Sequence, residues 1–164
     1  MRCKNKGFTL IEILVVVVIV AVLMSAVTLS FPPTGDKLLK EQAERFSALV
    51  GLAQDEAILQ SRELALEIGK AGYVFYRNVD NRWAVFADAP FSKREFPAEI
   101  SSKIYIDGIA IDLEEREELN PQVLILSSGE MTPFSYKLSY KNKSEITLKI
   151  NAVGEIEQTF VKNE

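Results

Sequence analysis

The 164-residue sequence contains no histidine and a single cysteine, Cys3. Without histidine the chain can form neither a Ser-His-Asp nor a Cys-His catalytic centre, and it lacks a common zinc ligand. A Ser-Lys or paired-carboxylate site is still chemically possible, but no nucleophile elbow, phosphate-binding glycine loop or metal-ligand spacing is present. We therefore expect a protein that is not an enzyme and that uses no cofactor and no metal. One cysteine forms no intrachain disulfide, so the fold must depend on packing.

Charged residues are almost absent from one long stretch near the N-terminus. Arg2, Lys4 and Lys6 precede it, and Glu12 is its only charge between residues 8 and 31. As a helix, residues 8–31 would extend about 36 Å, enough to cross a hydrocarbon core of about 30 Å. The basic end is expected to stay in the cytoplasm. We therefore predict a single-pass membrane helix over 8–31.

Glu12 is the most informative residue of this stretch, because hydrocarbon penalises a carboxylate. Only about 7.5 Å of helix separates it from Gly7, so its side chain can also snorkel to water. Position alone does not decide between a snorkelling side chain and a paired one.

The segment Lys6-Gly7-Phe8-Thr9-Leu10-Ile11-Glu12 resembles the type III signal of type IV pilins and type II secretion pseudopilins. The resemblance implies that a prepilin peptidase removes residues 1–7 by cutting between Gly7 and Phe8, and then methylates the new amine of Phe8. It also implies that Glu12 forms an assembly salt bridge with the Phe8 amine of a neighbouring subunit, where each charge makes the other tolerable in low dielectric.

Removal of this leader changes the charge of the chain. The loss of Arg2, Lys4 and Lys6 takes the formal net charge from −4 to −7. Such an acidic chain is a poor general nucleic-acid binder, so we expect no nucleic-acid partner.

A second, amphipathic helix is predicted over 36–62. Pro32-Pro33-Thr34-Gly35 breaks or bends the chain before it, and Asp36 is placed to cap it. Apolar residues then recur mostly at steps of four and three: Leu39, Ala43, Phe46, Val50, Ala53, Ala57 and Leu64. Because this stripe is short for a coiled-coil seam, we expect it to pack on the protein's own sheet.

Period-two alternation replaces the helical pattern over 63–164. It predicts strands at 64–68, 73–77, 83–87, 104–106, 109–113, 123–127, 134–140, 146–150 and 155–161. Asp107-Gly108 is a two-residue hairpin signal, and Val79-Asp80-Asn81-Arg82 is a second turn. We predict an α+β fold in which a long N-terminal helix, with a transmembrane and an amphipathic half, packs on seven to nine short antiparallel strands.

Ser128-Gly129-Glu130-Met131-Thr132-Pro133-Phe134 is predicted to be a turn, because Gly129 permits positive φ and Pro133 ends strand pairing. It also resembles the Ser-Gly-Glu-x-Thr-Pro-Phe signature of the minor pseudopilin H (GspH/FimT) family of the type II secretion system. Glu56-Ala57, Tyr73-Val74-Phe75 and Trp83 extend the likeness. The alternative is an ordinary tight turn.

The resemblance implies a type IV pilin-like fold of one helix on a sandwich-like pair of antiparallel sheets. It implies a structural minor pseudopilin at the tip of the pseudopilus, which assists pseudopilus assembly and the export of folded proteins across the outer membrane. The implied partners are the prepilin peptidase/N-methyltransferase, the other minor pseudopilins, the major pseudopilin, the inner-membrane secretion platform and membrane lipid.

The implied location is the inner membrane of a Gram-negative-type bacterium, with a cytoplasmic N-terminus and a periplasmic C-terminal domain. One alternative function is that of a minor type IV pilin of the FimT/FimU kind, in pilus biogenesis or DNA uptake. A membrane-tethered periplasmic enzyme is the alternative from another class.

Two charged groups have simple interpretations. The acidic residues of 112–118 offer oxygens to calcium, but no glycine-punctuated alternation of ligands is present, so a solvated loop is predicted. The lysines at 137, 141, 143 and 149 gather on the late strands and could contact DNA or an acidic partner. Polar residues that alternate on an exposed sheet face are the simpler prediction.

Overall fold

The computed structural model describes residues 9–27, 35–113 and 121–162, and the chain divides into two compact units, residues 1–33 and 34–164. The first unit contains helix α1, Leu10–Val27, with Glu12 in its first turn. In the described part of the chain, no helix is both long and apolar enough to cross a membrane. The membrane span over 8–31 extends beyond these residues and stays a prediction.

The second unit begins with helix α2, Gly35–Leu59. It starts one residue before the predicted helix and ends three residues earlier. Ser61 ends it with a positive φ of 48°, while the amides of Ser61 and Arg62 donate to the carbonyls of Ile58 and Ala57. This is a Schellman ending, and the sequence gives little sign of it because serine rarely occupies the left-handed position.

The buried stripe of α2 differs from the predicted one at two positions. Leu49 is buried in addition to the six predicted helical residues. The apolar stripe of a core-facing helix covers about 100° of its surface, so it includes neighbours of the residues that recur at steps of three and four. Leu64 is buried as well, but as the first residue of a strand rather than as part of the helical stripe.

The described residues form ten strands in two antiparallel sheets, which confirms the predicted fold class. Sheet A has the order β3-β2-β1-β7, with β4 also paired to β2. Its strands are β1 Leu64–Gly69, β2 Gly72–Val79, β3 Arg82–Val85, β4 Arg94–Glu95 and β7 Val123–Ile125. Sheet B has the order β10-β9-β8-β5-β6. Its strands are β5 Ile100–Ile106, β6 Ile109–Ile111, β8 Phe134–Tyr140, β9 Ser144–Ile150 and β10 Ile156–Lys162.

Several strands differ in extent from the sequence pattern. Strand β5 begins at Ile100 rather than at residue 104, because the polar run 101–103 hides its start, and β9 begins at Ser144 rather than at residue 146. Strands β3 and β6 each end two residues before the predicted 87 and 113. Strand β4, Arg94–Glu95, was not predicted, because two residues are too few to show alternation. Strand β7 ends at Ile125 rather than at residue 127, because Leu126 already takes part in the next turn. The turn predicted at Asp107-Gly108 is confirmed, with φ values of 51° and 78° that suit a tight hairpin.

Phe46 joins helix α2 to both sheets. Its side chain is fully buried. The ring centroid lies 5.1 Å from that of Tyr73 on β2, 4.4 Å from that of Tyr136 on β8 and 6.3 Å from that of Phe134. Burial raises the pKa of Tyr136, so its phenol stays neutral in this core. The sheets therefore meet α2 around a single aromatic side chain.

The start of α2 is tied to sheet B by Asp36. Its carboxylate lies 3.4 Å from the Lys162 ammonium on β10, and its position in the first helical turn suits a negative charge. The Ser144 hydroxyl, together with Lys162, holds the pKa of Asp36 below its ordinary value of 3.8. A lowered folded-state pKa means that the carboxylate stabilises the fold above that ordinary value, and that this stabilisation is lost as the pH falls.

We expect Asp36→Asn to lower the urea midpoint of unfolding at pH 7, and the difference from the parent chain to shrink when both are measured at pH 3. Asp55→Asn, at an exposed position on the same helix, is the matched control and should change neither midpoint. If the urea midpoints of the variant and the parent chain differ by the same amount at pH 7 and pH 3, the charge of Asp36 does not contribute to stability.

Candidate functional site

The N-terminal signal is described only in part. Gly7 and Phe8 lie outside the described residues, so cleavage, methylation and the pairing of Glu12 with the Phe8 amine stay predictions. Glu12 itself lies in the first turn of α1, where its amide donates to the Thr9 carbonyl at 3.1 Å. The side chains of the apolar residues between Leu10 and Val20 are exposed in the single chain.

The segment 128–134 is a turn between β7 and β8, as predicted. The Gly129 amide donates to the Leu126 carbonyl at 2.9 Å, and the Leu126 amide donates to the Glu130 carbonyl at 2.7 Å. The Glu130 amide donates to the Ser128 hydroxyl oxygen at 3.4 Å. Gly129 has a φ of 88°, a conformation in which a side chain is strained. The glycine is therefore required by the backbone of this turn.

The later residues of the motif connect the two sheets. Thr132 pairs with Leu124 of β7 twice, through an amide that donates to the Leu124 carbonyl at 2.9 Å and a hydroxyl that accepts from the Leu124 amide at 3.1 Å. Pro133 follows, and Phe134 begins β8 with its ring buried near Phe46. The motif thus takes the chain from sheet A to sheet B.

Gln54 of α2 holds this turn and a second one, and sequence reasoning missed it. Its side-chain nitrogen donates to the Gly129 carbonyl at 2.7 Å and to the Val153 carbonyl, in the turn between β9 and β10, at 2.9 Å. We call Gln54 and these two carbonyls the Gln54 clamp. The partners lie 75 and 99 residues away, so no local pattern reports them.

Both turns place a glycine directly against α2. A Cβ on Gly129 would lie 2.9 Å from Ile58 Cδ1, and a Cβ on Gly154 would overlap the Gln54 amide. Gly154 also has a positive φ of 83°. The Gln54 clamp therefore depends on close backbone approach at two separate turns.

Replacing Gln54 by leucine is expected to lower the free energy of unfolding by about 1–3 kcal/mol, because two carbonyls lose their donor. Chemical denaturation of the full chain in detergent measures this loss. Gln60→Leu is the matched control, since Gln60 is exposed at the end of the same helix. If the denaturation midpoint of Gln54→Leu equals that of the parent chain, water replaces the two hydrogen bonds of the Gln54 clamp without loss of stability.

Across residues 9–27, 35–113 and 121–162, no cluster of three or more histidine, cysteine or acidic residues is placed to hold a metal ion. Most of the acidic segment 112–118 lies outside the described residues. Lys137 and Lys149 lie on the outer face of sheet B, as predicted. The prediction is wrong for Lys141 and Lys143, which lie in the turn between β8 and β9, because β8 ends at Tyr140. Lys137 contacts Glu145 at 2.8 Å, and this hydrogen bond raises the pKa of Lys137.

Two family models match the chain. The model of the prokaryotic N-terminal methylation motif matches residues 2–28. The model of the type II transport protein GspH matches residues 42–154, which include the Gln54 clamp and the 128–134 turn.

Two relatives in sequence have the same name. The chain is 35% identical to the type II secretion system protein H of Pseudomonas aeruginosa, over 92% of each chain. It is 31% identical to the protein of the same name from Aeromonas hydrophila, over 87% of this chain and 85% of the relative.

Solved structures share the fold. The crystal structure of the minor pseudopilin EPSH from the type II secretion system of Vibrio cholerae matches with a TM-score of 0.64 and 22% identity, over 77% of this chain and 96% of that one. The solution structure of Escherichia coli GspH matches with a TM-score of 0.60 and 24% identity, over 74% of this chain and 87% of that one.

Proposed function

Since this chain belongs to the GspH family of type II transport proteins, we propose that it is a structural minor pseudopilin at the tip of a type II secretion pseudopilus. In that position it assists assembly of the pseudopilus and the export of folded proteins across the outer membrane. The family is one of structural pseudopilins and not of enzymes.

The observation that carries the proposal is the presence of two family features on one chain. An N-terminal methylation motif covers residues 2–28, and a GspH domain covers 42–154. The exposed apolar side chains between Leu10 and Val20 support it, because lipid, and later the helices of neighbouring subunits, would cover them. An isolated soluble protein rarely exposes such a stretch.

The N-terminal methylation motif also supports processing of the chain by a peptidase. A prepilin peptidase/N-methyltransferase would cut after Gly7 and methylate the amine of Phe8. Residues 8–31 would then anchor the chain in the inner membrane, with the N-terminus cytoplasmic and the C-terminal domain periplasmic. The other partners would be the major pseudopilin, the other minor pseudopilins and the inner-membrane secretion platform.

Deletion of the gene is expected to block exoprotein release, and the wild-type chain should restore it. Twitching motility and transformation are measured in the same strain, because a minor type IV pilin of the FimT/FimU kind would affect those instead. Intact secretion with lost motility would overturn the proposed function.

The processing step has its own test. Mass spectrometry of the purified chain should show an N-terminus at N-methylated Phe8. A chain that still begins at Met1 would refute cleavage by a prepilin peptidase.

A further inference from the structure

Exposed lysines collect at the end of sheet B where helix α2 begins. Lys37 lies in the first turn of α2, and Lys141 and Lys143 lie in the turn between β8 and β9. All three residues are exposed, and none of the ion pairs among the described residues includes them. We call these three lysines the basic end.

The packing of α2 on sheet B brings the three lysines together. Gly35, the first residue of α2, lies so close to the Tyr140 ring that a Cβ would overlap it. Tyr140 is the last residue of β8, and the Lys141 ammonium lies 5.4 Å from the centre of its ring. The Lys143 amide donates to the Tyr140 carbonyl at 2.9 Å. The start of α2 and the β8–β9 turn are therefore neighbours around Tyr140.

The acidic residues at this end leave an excess of positive charge. Asp36 is paired with Lys162. Glu99, which precedes β5, also lies here, because its carbonyl accepts the first amide of the β8–β9 turn at 3.1 Å. Lys40 and Glu41 follow one turn further along α2 and have opposite charges. Among its described residues, this end therefore has three unpaired lysines and one unpaired carboxylate.

The opposite end of sheet B is acidic. Asp107 lies in the β5–β6 turn, and Glu155 and Glu157 lie beside the β9–β10 turn, with Lys149 opposite Glu157 in the register of β9 and β10. Strands β5, β8, β9 and β10 have seven residues each, so the two ends are about 20 Å apart. This distance exceeds the screening length of about 10 Å at roughly 0.1 M salt, so the acidic end does not cancel the potential at the basic end.

The predicted membrane span holds the basic end close to lipid. That span ends at residue 31, and α2 begins at Gly35. Four steps of chain extend at most about 14 Å in any conformation. A group tethered at such short range meets the membrane at a high effective concentration. The tether therefore favours a lipid surface over an acidic protein or a nucleic acid that must arrive by diffusion.

We propose that the basic end binds the anionic phospholipid headgroups of the leaflet from which the chain leaves the membrane. The proposal rests on the proposed anchoring of residues 8–31. Lysines beside a membrane are attracted to anionic headgroups within a screening length, and tyrosines such as Tyr140 are common at the level of the headgroups. The contact holds the second unit with its acidic end away from the membrane, since an anionic surface repels carboxylates.

The test measures contact between the basic end and headgroups in vesicles. The full chain with Cys3→Ser and Ser101→Cys carries a fluorescent dye at residue 101, an exposed position next to the start of β5. It is reconstituted into vesicles of phosphatidylcholine alone or of phosphatidylcholine and phosphatidylglycerol in equal parts. Both kinds of vesicle contain a phospholipid with a nitroxide on its headgroup, which quenches the dye only at short range.

At low salt, quenching should be about twofold or more stronger in the vesicles with phosphatidylglycerol, because only these attract the lysines. The difference should disappear at about 1 M salt, where the screening length falls to about 3 Å. The triple change Lys37→Gln, Lys141→Gln and Lys143→Gln should remove it as well, whereas arginine at the same three positions should keep it. These positions are exposed, so the fold is not expected to change.

The matched control is the triple change Arg62→Gln, Arg82→Gln and Lys149→Gln, which removes three exposed positive charges elsewhere and should keep the difference. Equal quenching of the parent chain in both lipids would overturn the proposal and leave the basic end to an acidic protein or a nucleic acid. A difference that survives the glutamine changes at the basic end, or that is lost equally in the control, would overturn it too. Failure of the proposed anchoring is seen separately, as a chain that does not float with vesicles of phosphatidylcholine alone.

Discussion

Glu12→Leu is expected to leave the chain in the membrane but to reduce its incorporation into the pseudopilus on the order of a hundredfold. Cleavage after Gly7 would place an ammonium on Phe8 in a low-dielectric environment. Removing one partner of a buried ion pair leaves the other charge uncompensated and costs about 3–5 kcal/mol. Each 1.4 kcal/mol corresponds to about tenfold in an equilibrium constant, so assembly should fall steeply.

Incorporation is measured in sheared pseudopili by immunoblotting, with the amount of processed chain in the membrane measured in parallel. Glu44→Leu is the matched control, because it removes a carboxylate from an exposed position on α2 and should assemble normally. Glu12→Asp keeps the charge on a shorter side chain and should lie between the parent and Glu12→Leu. Normal assembly of Glu12→Leu would refute the salt bridge and favour a snorkelling side chain.

Phe46→Ala should remove most of the stability of the second unit. Truncation of a buried phenylalanine typically costs about 3–5 kcal/mol, while the whole free energy of unfolding of a domain is about 5–15 kcal/mol. We expect a loss of stability at the upper end of the range for phenylalanine, since the Phe46 ring contacts the rings of Tyr73, Phe134 and Tyr136 on both sheets.

Urea unfolding of the full chain in detergent, followed by near-UV circular dichroism, measures this effect. Leu52→Ala is the control, because Leu52 is half exposed on the same helix and should change the midpoint little. Phe46→Leu keeps much of the buried volume and should be less harmful. Equal midpoints for Phe46→Ala and Leu52→Ala would show that the aromatic junction is not central to the fold.

Much of this fold can be predicted from short windows of sequence. The apolar spacing of Leu39, Ala43 and Phe46 gives α2, and the alternation of Phe134, Tyr136 and Leu138 gives β8. Such patterns are visible because helix and strand repeat every 3.6 and 2 residues. The C-terminal end of α2 and strand β4 could not be predicted from such patterns, because a serine in a left-handed conformation and a two-residue strand leave no periodic signal.

Some residues of the candidate site can likewise be recognised from the sequence, and others cannot. The signal at 6–12 and the turn at 128–134 are contiguous, so they can be recognised as segments. Gln54, by contrast, is an ordinary polar residue on the flank of a helix, and its function is defined only by the carbonyls of Gly129 and Val153. The polar alternation of Lys137 and Lys149 was predicted, but the pairing of Lys137 with Glu145 needs the register of β8 and β9.

The sequence by itself determined the class of this protein. The absence of histidine argued against most catalytic sites, the glycine and glutamate around Phe8 indicated a pilin-type signal, and local periodicity gave one amphipathic helix followed by strands. The tertiary structure alone decided which strands form each sheet, that Phe46 joins them, and that Gln54 holds two distant turns against α2. The physical reason is that backbone preferences act over a few residues, whereas these contacts exist only after segments 75 and 99 residues apart have packed.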